Sequence, residues 1–308
     1  MRTTGQWQIE YDTLGKPDDP AIVLIMGLGM QLTSWPEAFC QSLVKAGFRV
    51  VRFDNRDCGL STQATGVRHT PLPLAFMASF FGLPVHSAYT LGDMAQDTVG
   101  VMDALHINQA HVVGVSMGGM IAQVMAANFP HRVLSLTSVM SSSGNRRVSQ
   151  PSTKAGRVLL KRPTNPNDQS AVIDHLVHLF GVIGSPTYPE NSVDLRRRIT
   201  QGVQRAYSPA GTTRQLMAIL ASGDRRKLLR TIKIPTLVIH GDADPLVPLS
   251  AGRDTAQHIA GANFRIIPGM GHDLPAALLP QLAAWIVAHC EGVAVPHALT
   301  PSAKGPNL

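Results

Sequence analysis

Cysteine is scarce in this 308-residue chain, and the three present, Cys40, Cys58 and Cys290, lie far apart and are odd in number. That excludes a disulfide framework and offers no metal-type spacing, so a reducing compartment, the cytoplasm, is expected. Long apolar runs are also missing. The opening residues Met1 to Trp7 hold no apolar signal core and are read as carrying no export signal. The most apolar loop-like stretch, Pro71 to Leu91, is broken by Pro73, Gly82, Pro84 and His86, too short and interrupted for a membrane span. Nucleic-acid modules, with their aromatic or groove-reading elements, are not found either.

Charge is present but uneven. The chain carries a net +7, yet Ser141 to Arg230 holds 15 Lys and Arg against 5 Asp and Glu. That segment is +10 and the remainder −3, so the basic excess lies wholly in the middle. Runs such as Arg196-Arg197-Arg198 and Arg225-Arg226-Lys227 read as solvated helix faces, with attraction of anions toward a site as the alternative.

The most informative stretch is His111 to Met125. A β-branched apolar run (Val112, Val113, Val115) meets a helix-like run (Met117 to Ala127) with almost no room to turn. Ser116 sits at the junction, with Gly114 two residues before it and Gly118 two after. Such a turn forces its central residue toward positive φ, and side chains at either flanking position would collide, which favours glycine at both. The hydroxyl is then held out at the strand end, facing the first free N–H groups of the helix.

Buried strands are expected at Ala21 to Met26, Phe48 to Phe53, Val133 to Met140, Thr236 to His240 and Phe264 to Ile267, with a half-exposed one at Gln6 to Asp12. Helices are expected from Pro36 to Ala46, and from Leu91 to Leu105 with Thr90 as its cap. Others follow the last two strands, near Leu249 to Ala260 and Ala276 to Cys290. This alternation predicts an α/β chain with a mostly parallel sheet and helices on both faces. The segment 141–230 breaks the rhythm with six prolines between helix-like pieces (Ala171 to Phe180, Val193 to Arg205, Thr212 to Ala221), and is read as an inserted helical cap. Residues 1–140 and 231–290 then form the core, and 291–308 a flexible tail. Functional groups of such sheets gather beyond the strand carboxyl ends. Gly27-Leu28, Ser116, Asp242 with Asp244, and His272 all stand just after strands.

The stretches Ile25 to Met30, Phe53 to Ser61, Gly114 to Gly118, Val238 to Pro248 and Pro268 to His272, with the order Ser, Asp, His, resemble the α/β-hydrolase family over about residues 6 to 290. More narrowly they are similar to bacterial carboxylesterases and polyketide methylesterases. The resemblance implies an eight-stranded α/β-hydrolase sheet and ester cleavage without metal or organic cofactor. It implies Ser116 as nucleophile, His272 as base, and the backbone N–H groups of Leu28 and Met117 as oxyanion donors. The acid is assigned to Asp244, which stands directly before the Pro245-Leu-Val-Pro248 turn, with Asp242 as the alternative. One departure is Met26-Gly27 where many relatives carry His-Gly; the donor there is backbone, so the hole should survive.

The expected partner is a small, apolar ester. Phe76, Met77, Phe80, Phe81, Leu179, Phe180, Leu216 and Met217 could line its pocket or equally form the cap's own core. The same residues would also serve a C–C hydrolase, a lactonase or a perhydrolase, and a non-catalytic binding protein of this fold is the reading of another class. His111 and His240 read as packed residues, His175 and His178 as cap surface, Arg56 as a loop-holding ion-pair partner and Cys58 as a bystander.

Overall fold

In the computed structural model, which describes residues 7–65 and 70–295, seven strands and eleven α-helices are found among the described residues. The strands are β1 (Tyr11–Leu14), β2 (Ala21–Ile25), β3 (Arg49–Phe53), β4 (Ala110–Val115), β5 (Val133–Val139), β6 (Thr236–Gly241) and β7 (Asn263–Ile267). Their order across the sheet is β1-β3-β2-β4-β5-β6-β7, with β1 antiparallel to β3 and every other pair parallel. Each residue of β2, β4 and β6 is buried, which explains their unbroken apolar runs.

The expected eighth strand is not among the described residues, and the first strand begins later than its alternating pattern suggested. The chain ahead of β1 is used elsewhere: the Gln8 N–H donates to Thr62 Oγ1 and the Thr62 N–H to the Gln8 carbonyl. Only a single bridge residue, Glu10, joins that segment to β1. The tail expected at 291–308 lies outside the described residues from 296 onward.

Helices cover both faces. On one, α3 (Leu91–Ala104) and α4 (Met117–Asn128) bury Met94, Val101, Ile121 and Met125 against the sheet. On the other, α1 (Glu37–Lys45) and α11 (Leu279–Cys290) bury Phe39, Leu43, Leu282 and Ile286. Thr90 caps α3 through a reciprocal box with Asp93, a motif that contributes about 1 kcal/mol. The helix α10 (Leu249–Gln257) packs on β6.

The apolar stretch after β3 forms a helix, α2 (Leu72–Phe80), rather than a loop. Its prolines flank or enter only the first turn, where a missing N–H costs nothing. Between β5 and β6 run α5 (Thr153–Leu160), α6 (Gln169–Ile183), α7 (Ser192–Arg205), α8 (Pro209–Ser222) and the short α9 (Arg226–Leu229). Ile173, Leu195, Ile199 and Phe180 form a small cluster between α6 and α7. No described helix is long and apolar enough to cross a membrane.

Polar side chains tie these helices to the sheet. Arg205 pairs with the fully buried Asp54 at 2.8 Å and donates to Gln31 at 2.6 Å. Arg214 grips Asp57 with two bonds of 2.7 and 2.8 Å. Arg56 pairs with Asp97 at 2.5 Å and lies 4.4 Å from the centre of the Trp7 ring, holding its loop as expected.

Candidate active site

The chain order reverses at β2 and β4, neighbours in the sheet whose outward connections run to opposite sides. Their carboxyl ends form the crevice where ligands of open α/β sheets bind. Gly114 of β4 pairs with Ile25 at the end of β2, and Ser116 follows directly after β4. Ser116 has φ 55° and ψ −121°, the strained conformation expected of this turn. A Cβ at Gly114 would stand 2.2 Å from the Gly118 carbonyl oxygen, and one at Gly118 would stand 2.0 Å from the Ile25 oxygen. Both glycines are therefore fixed by backbone packed on backbone.

His272, after β7, turns its Nε2 to Ser116 Oγ at 2.9 Å and its Nδ1 to Asp244 Oδ2 at 2.7 Å. Asp244, after β6, is buried, and its Oδ1 accepts the Leu246 and Val247 N–H groups at 2.9 and 2.8 Å. A carboxylate only accepts, so the proton between Asp244 and His272 sits on Nδ1. Nε2 is thus left as the acceptor facing the hydroxyl. Ser116 itself remains half-buried and reachable.

The other carboxylate of the β6 loop, Asp242, is exposed and accepts the Gly269 N–H at 2.7 Å, bracing the turn that leads to His272. His240 is packed beneath Asp244, with Nε2 donating to the Val247 carbonyl at 2.7 Å. Burial pushes its pKa down, so this imidazole is held neutral. His111 bonds Ser135 inside the sheet, and burial lowers it to about 4. Cys58 is buried and its thiol is pushed far up, first by desolvation and then by Asp54, which makes it a poor nucleophile.

Leu28 lies in the turn after β2 that the Met30 N–H closes onto Gly27 O at 3.2 Å, and Met117 is the first residue of α4. A helix has no partner of its own for its first N–H groups. Asn55 holds the β2 end by donating to Met26 O at 2.9 Å.

Several residues that shape the site were missed from sequence. Ser141, two residues after β5, donates to the Ser116 carbonyl at 2.7 Å, and the strand-end rule could have found it. Gln215, buried in α8, accepts the Gly29 N–H at 2.8 Å and donates to the Arg56 carbonyl at 2.8 Å. The His272 N–H donates to Ile183 O at 2.7 Å, at the end of α6. Ser185 donates to Asp273, the residue after His272, and receives the Gly271 N–H at 2.8 Å; desolvation raises the Asp273 pKa, opposed by the Ser185 bonds. Apart from Ser141, none of these carries a local sequence signal, because each partner lies far away along the chain.

The apolar residues expected near the site divide. Met217 is fully buried, and Phe180 belongs to the α6–α7 cluster with Arg198 against its ring. Met77, Phe80 and Phe81 instead face solvent.

Comparison with known proteins agrees with this architecture. The chain is 28% identical to rhodomycin D methylesterase of Streptomyces peucetius, over 96% of this chain and 99% of that protein. It is 25% identical to 3-oxoadipate enol-lactonase 2 of Acinetobacter baylyi, over 84% of each. The solved enol-lactonase of Burkholderia xenovorans superposes with a TM-score of 0.70 at 22% identity, covering 92% of this chain and 97% of that one. The model of the alpha/beta hydrolase fold matches residues 20–275, and the chain belongs to that family.

Proposed function

We propose that this chain is a serine hydrolase that cleaves carboxylic esters through Ser116, His272 and Asp244. The observation that carries the reading is the unbroken path from Ser116 Oγ to His272 at 2.9 Å and on to Asp244 at 2.7 Å. His272 Nε2 takes the hydroxyl proton as Oγ bonds to the ester carbonyl carbon, and the carbonyl π electrons move to oxygen. The Leu28 and Met117 N–H groups receive that oxyanion; one such donor is worth about 10²–10³ in turnover. The imidazolium then protonates the departing alcohol, and a water molecule releases the acid from Ser116 by the same steps. Asp244 stabilises the imidazolium charge and fixes the ring's orientation.

Within this reading residues 141–230 act as a cap on the core formed by 1–140 and 231–290. Two contacts support that role: α8 holds the Gly27–Met30 turn through Gln215, and the end of α6 holds His272 through Ile183. Three unpaired cysteines, two of them buried, suit the cytoplasm. The substrate class is a small, apolar ester, and the likeness to a rhodomycin D methylesterase favours a methyl ester. A lactone is the second reading, favoured by the likeness to an enol-lactonase. The same attack on carbon would open the ring.

A fluorophosphonate probe should label the wild-type protein and not Ser116→Ala. The variant should also lose p-nitrophenyl ester turnover by about 10⁴-fold or more. Labelling that persists in the variant, or a wild type inert to both reagents, sinks the proposal. Side-by-side rates on methyl esters and lactones then choose between the two substrate classes.

A further inference from the structure

Five of the eleven large apolar side chains that face solvent among the described residues fall within ten positions: Leu74, Met77, Phe80, Phe81 and Leu83. They lie on α2 and the turn after it. Phe80 and Phe81 are each 69% exposed. A contiguous apolar surface of this kind marks an interaction site rather than ordinary surface variation.

The chemistry of the patch selects its occupant. From Leu72 to Val85 there is no charged residue, and the one polar side chain, Ser79, is buried. The face therefore offers nothing for directional hydrogen bonding to a protein partner. It is suited to hydrocarbon. Directly beside it an open groove of about 510 Å³ is lined by Phe80, Leu83 and Pro84 together with Arg146, Arg147 and Arg226. Arg226 is paired with Asp224, whereas Arg146 and Arg147 make no ion pair among the described residues. Apolar side chains with free cations at their border match the layered chemistry of a lipid surface, acyl chains below and phosphates above. A second copy of the chain fits less well. A two-fold contact through this patch would bring the unpaired Arg146 and Arg147 of both copies into one interface.

We propose that α2 and its following turn dock on an anionic phospholipid surface, with Phe80, Phe81, Leu83, Leu74 and Met77 entering the acyl boundary and Arg146 and Arg147 meeting headgroup phosphates. The attachment is peripheral, since no described helix could cross the bilayer. The patch reaches the catalytic side of the molecule through α8, which packs on α2 and also contacts the Gly27–Met30 turn. A bilayer-bound protein would thus hold its site close to esters concentrated in the membrane. The docking itself does not depend on ester cleavage.

The test is co-sedimentation with vesicles of phosphatidylcholine alone and of an equimolar mixture with phosphatidylglycerol. Wild type should bind the mixed vesicles about tenfold or more above the neutral ones, and added salt should weaken that binding. Phe80→Ser/Phe81→Ser and, separately, Arg146→Glu/Arg147→Glu should each lower binding about tenfold or more. Both pairs are outside the catalytic machinery, so turnover of a water-soluble short ester and the melting temperature should stay at wild-type values. No binding to mixed vesicles overturns the proposal, as does binding that neither variant changes. A wild-type dimer that Phe80→Ser/Phe81→Ser dissolves in size-exclusion chromatography also overturns it, by giving the face to a second copy.

Discussion

The sheet edge and the helices of 141–230 hold their parts in place by different means. At the edge, backbone lies on backbone: a Cβ added at Gly114, Gly118 or Gly241 would come within 2.2, 2.0 and 2.0 Å of main-chain oxygens. Within α6 and α7, by contrast, Gly181 has nothing within 4 Å, and Gly202 meets only the tip of Gln31 at 3.9 Å. The helices α7 and α8 are attached instead by long polar side chains, Arg205, Arg214, Gln215 and Gln31, whereas the end of α6 meets the edge through the main chain of Ile183. Gly211, where a Cβ would be 2.0 Å from the Asp57 carbonyl oxygen, marks a point where the α8 backbone itself presses on the core loop. Catalytic geometry must hold to a fraction of an ångström, and main-chain contacts provide that. Side-chain ties leave a surface freer to vary with substrate.

Gly118→Ala should show the largest effect. Its Cβ has no room against Ile25 O, so α4 must move away from β2, at a cost of about 3 kcal/mol or more. Any protein that still folds should lose about 10²-fold in ester turnover, because a displacement of order 1 Å at the elbow misplaces the hydroxyl. Denaturant melts together with initial rates would measure both. A variant of normal stability and rate would break the contrast at its strong end.

Arg214→Met tests the other means of attachment. Asp57 is buried, and among the described residues its carboxylate would keep the Tyr89 hydroxyl and the Ala64 N–H. Stranding a buried charge costs about 3–5 kcal/mol. Adding Asp57→Asn to the same protein should recover much of that loss, since the stranded charge is then gone. Urea titrations of the single and double variants give the coupling. A loss under about 1 kcal/mol would show the tie to be no better than a surface ion pair.

This division also sets what could be read without coordinates. Gly114, Ser116 and Gly118 were legible because a local steric demand writes itself into adjacent positions. Thr90 with Asp93 was legible for the same reason, as a capping box is local. Asp244 and Asp242 were not separable by spacing, since both leave β6 within four residues; what separates them is which one turns inward to His272 and which stays in solvent at the Gly269 turn. Arg205 meets Asp54 across 151 positions and Arg214 meets Asp57 across 157, and no periodicity encodes such pairs. The α2 helix was hidden by its prolines, and its apolar residues gave no face because polar residues do not alternate with them. The resemblance to the family implied an eighth strand that the residues themselves did not supply.

Buried imidazoles extend the contrast to pH. His111, inside the sheet, is lowered to about 4 by burial, with His289 adding to the effect. The unfolded chain takes up this proton near 6.5, and the folded protein does not until about 4. Stability from this group is therefore complete above 6.5 and falls as pH drops toward 4, by about 1.4 kcal/mol per pH unit. Between pH 7.5 and 5 the loss is about 2 kcal/mol. His111→Gln, which cannot take up the proton, should shrink the difference in urea stability between those two pH values by that amount. An unchanged difference would mean that the core does not hold this ring neutral.

Gly181→Ala should have the smallest effect and the opposite sign. The position lies within α6, is exposed, and does not have positive φ; the added methyl meets nothing within 4 Å. Removing glycine's freedom in the unfolded chain stabilises a helix interior by about 0.5–1 kcal/mol. A melting temperature raised slightly, with ester turnover unchanged, would place this substitution opposite Gly118→Ala, though both add one methyl to a helix. A destabilised Gly181→Ala would show that this side of α6 is packed against something in solution, and the segment would then share the backbone-on-backbone logic of the sheet edge.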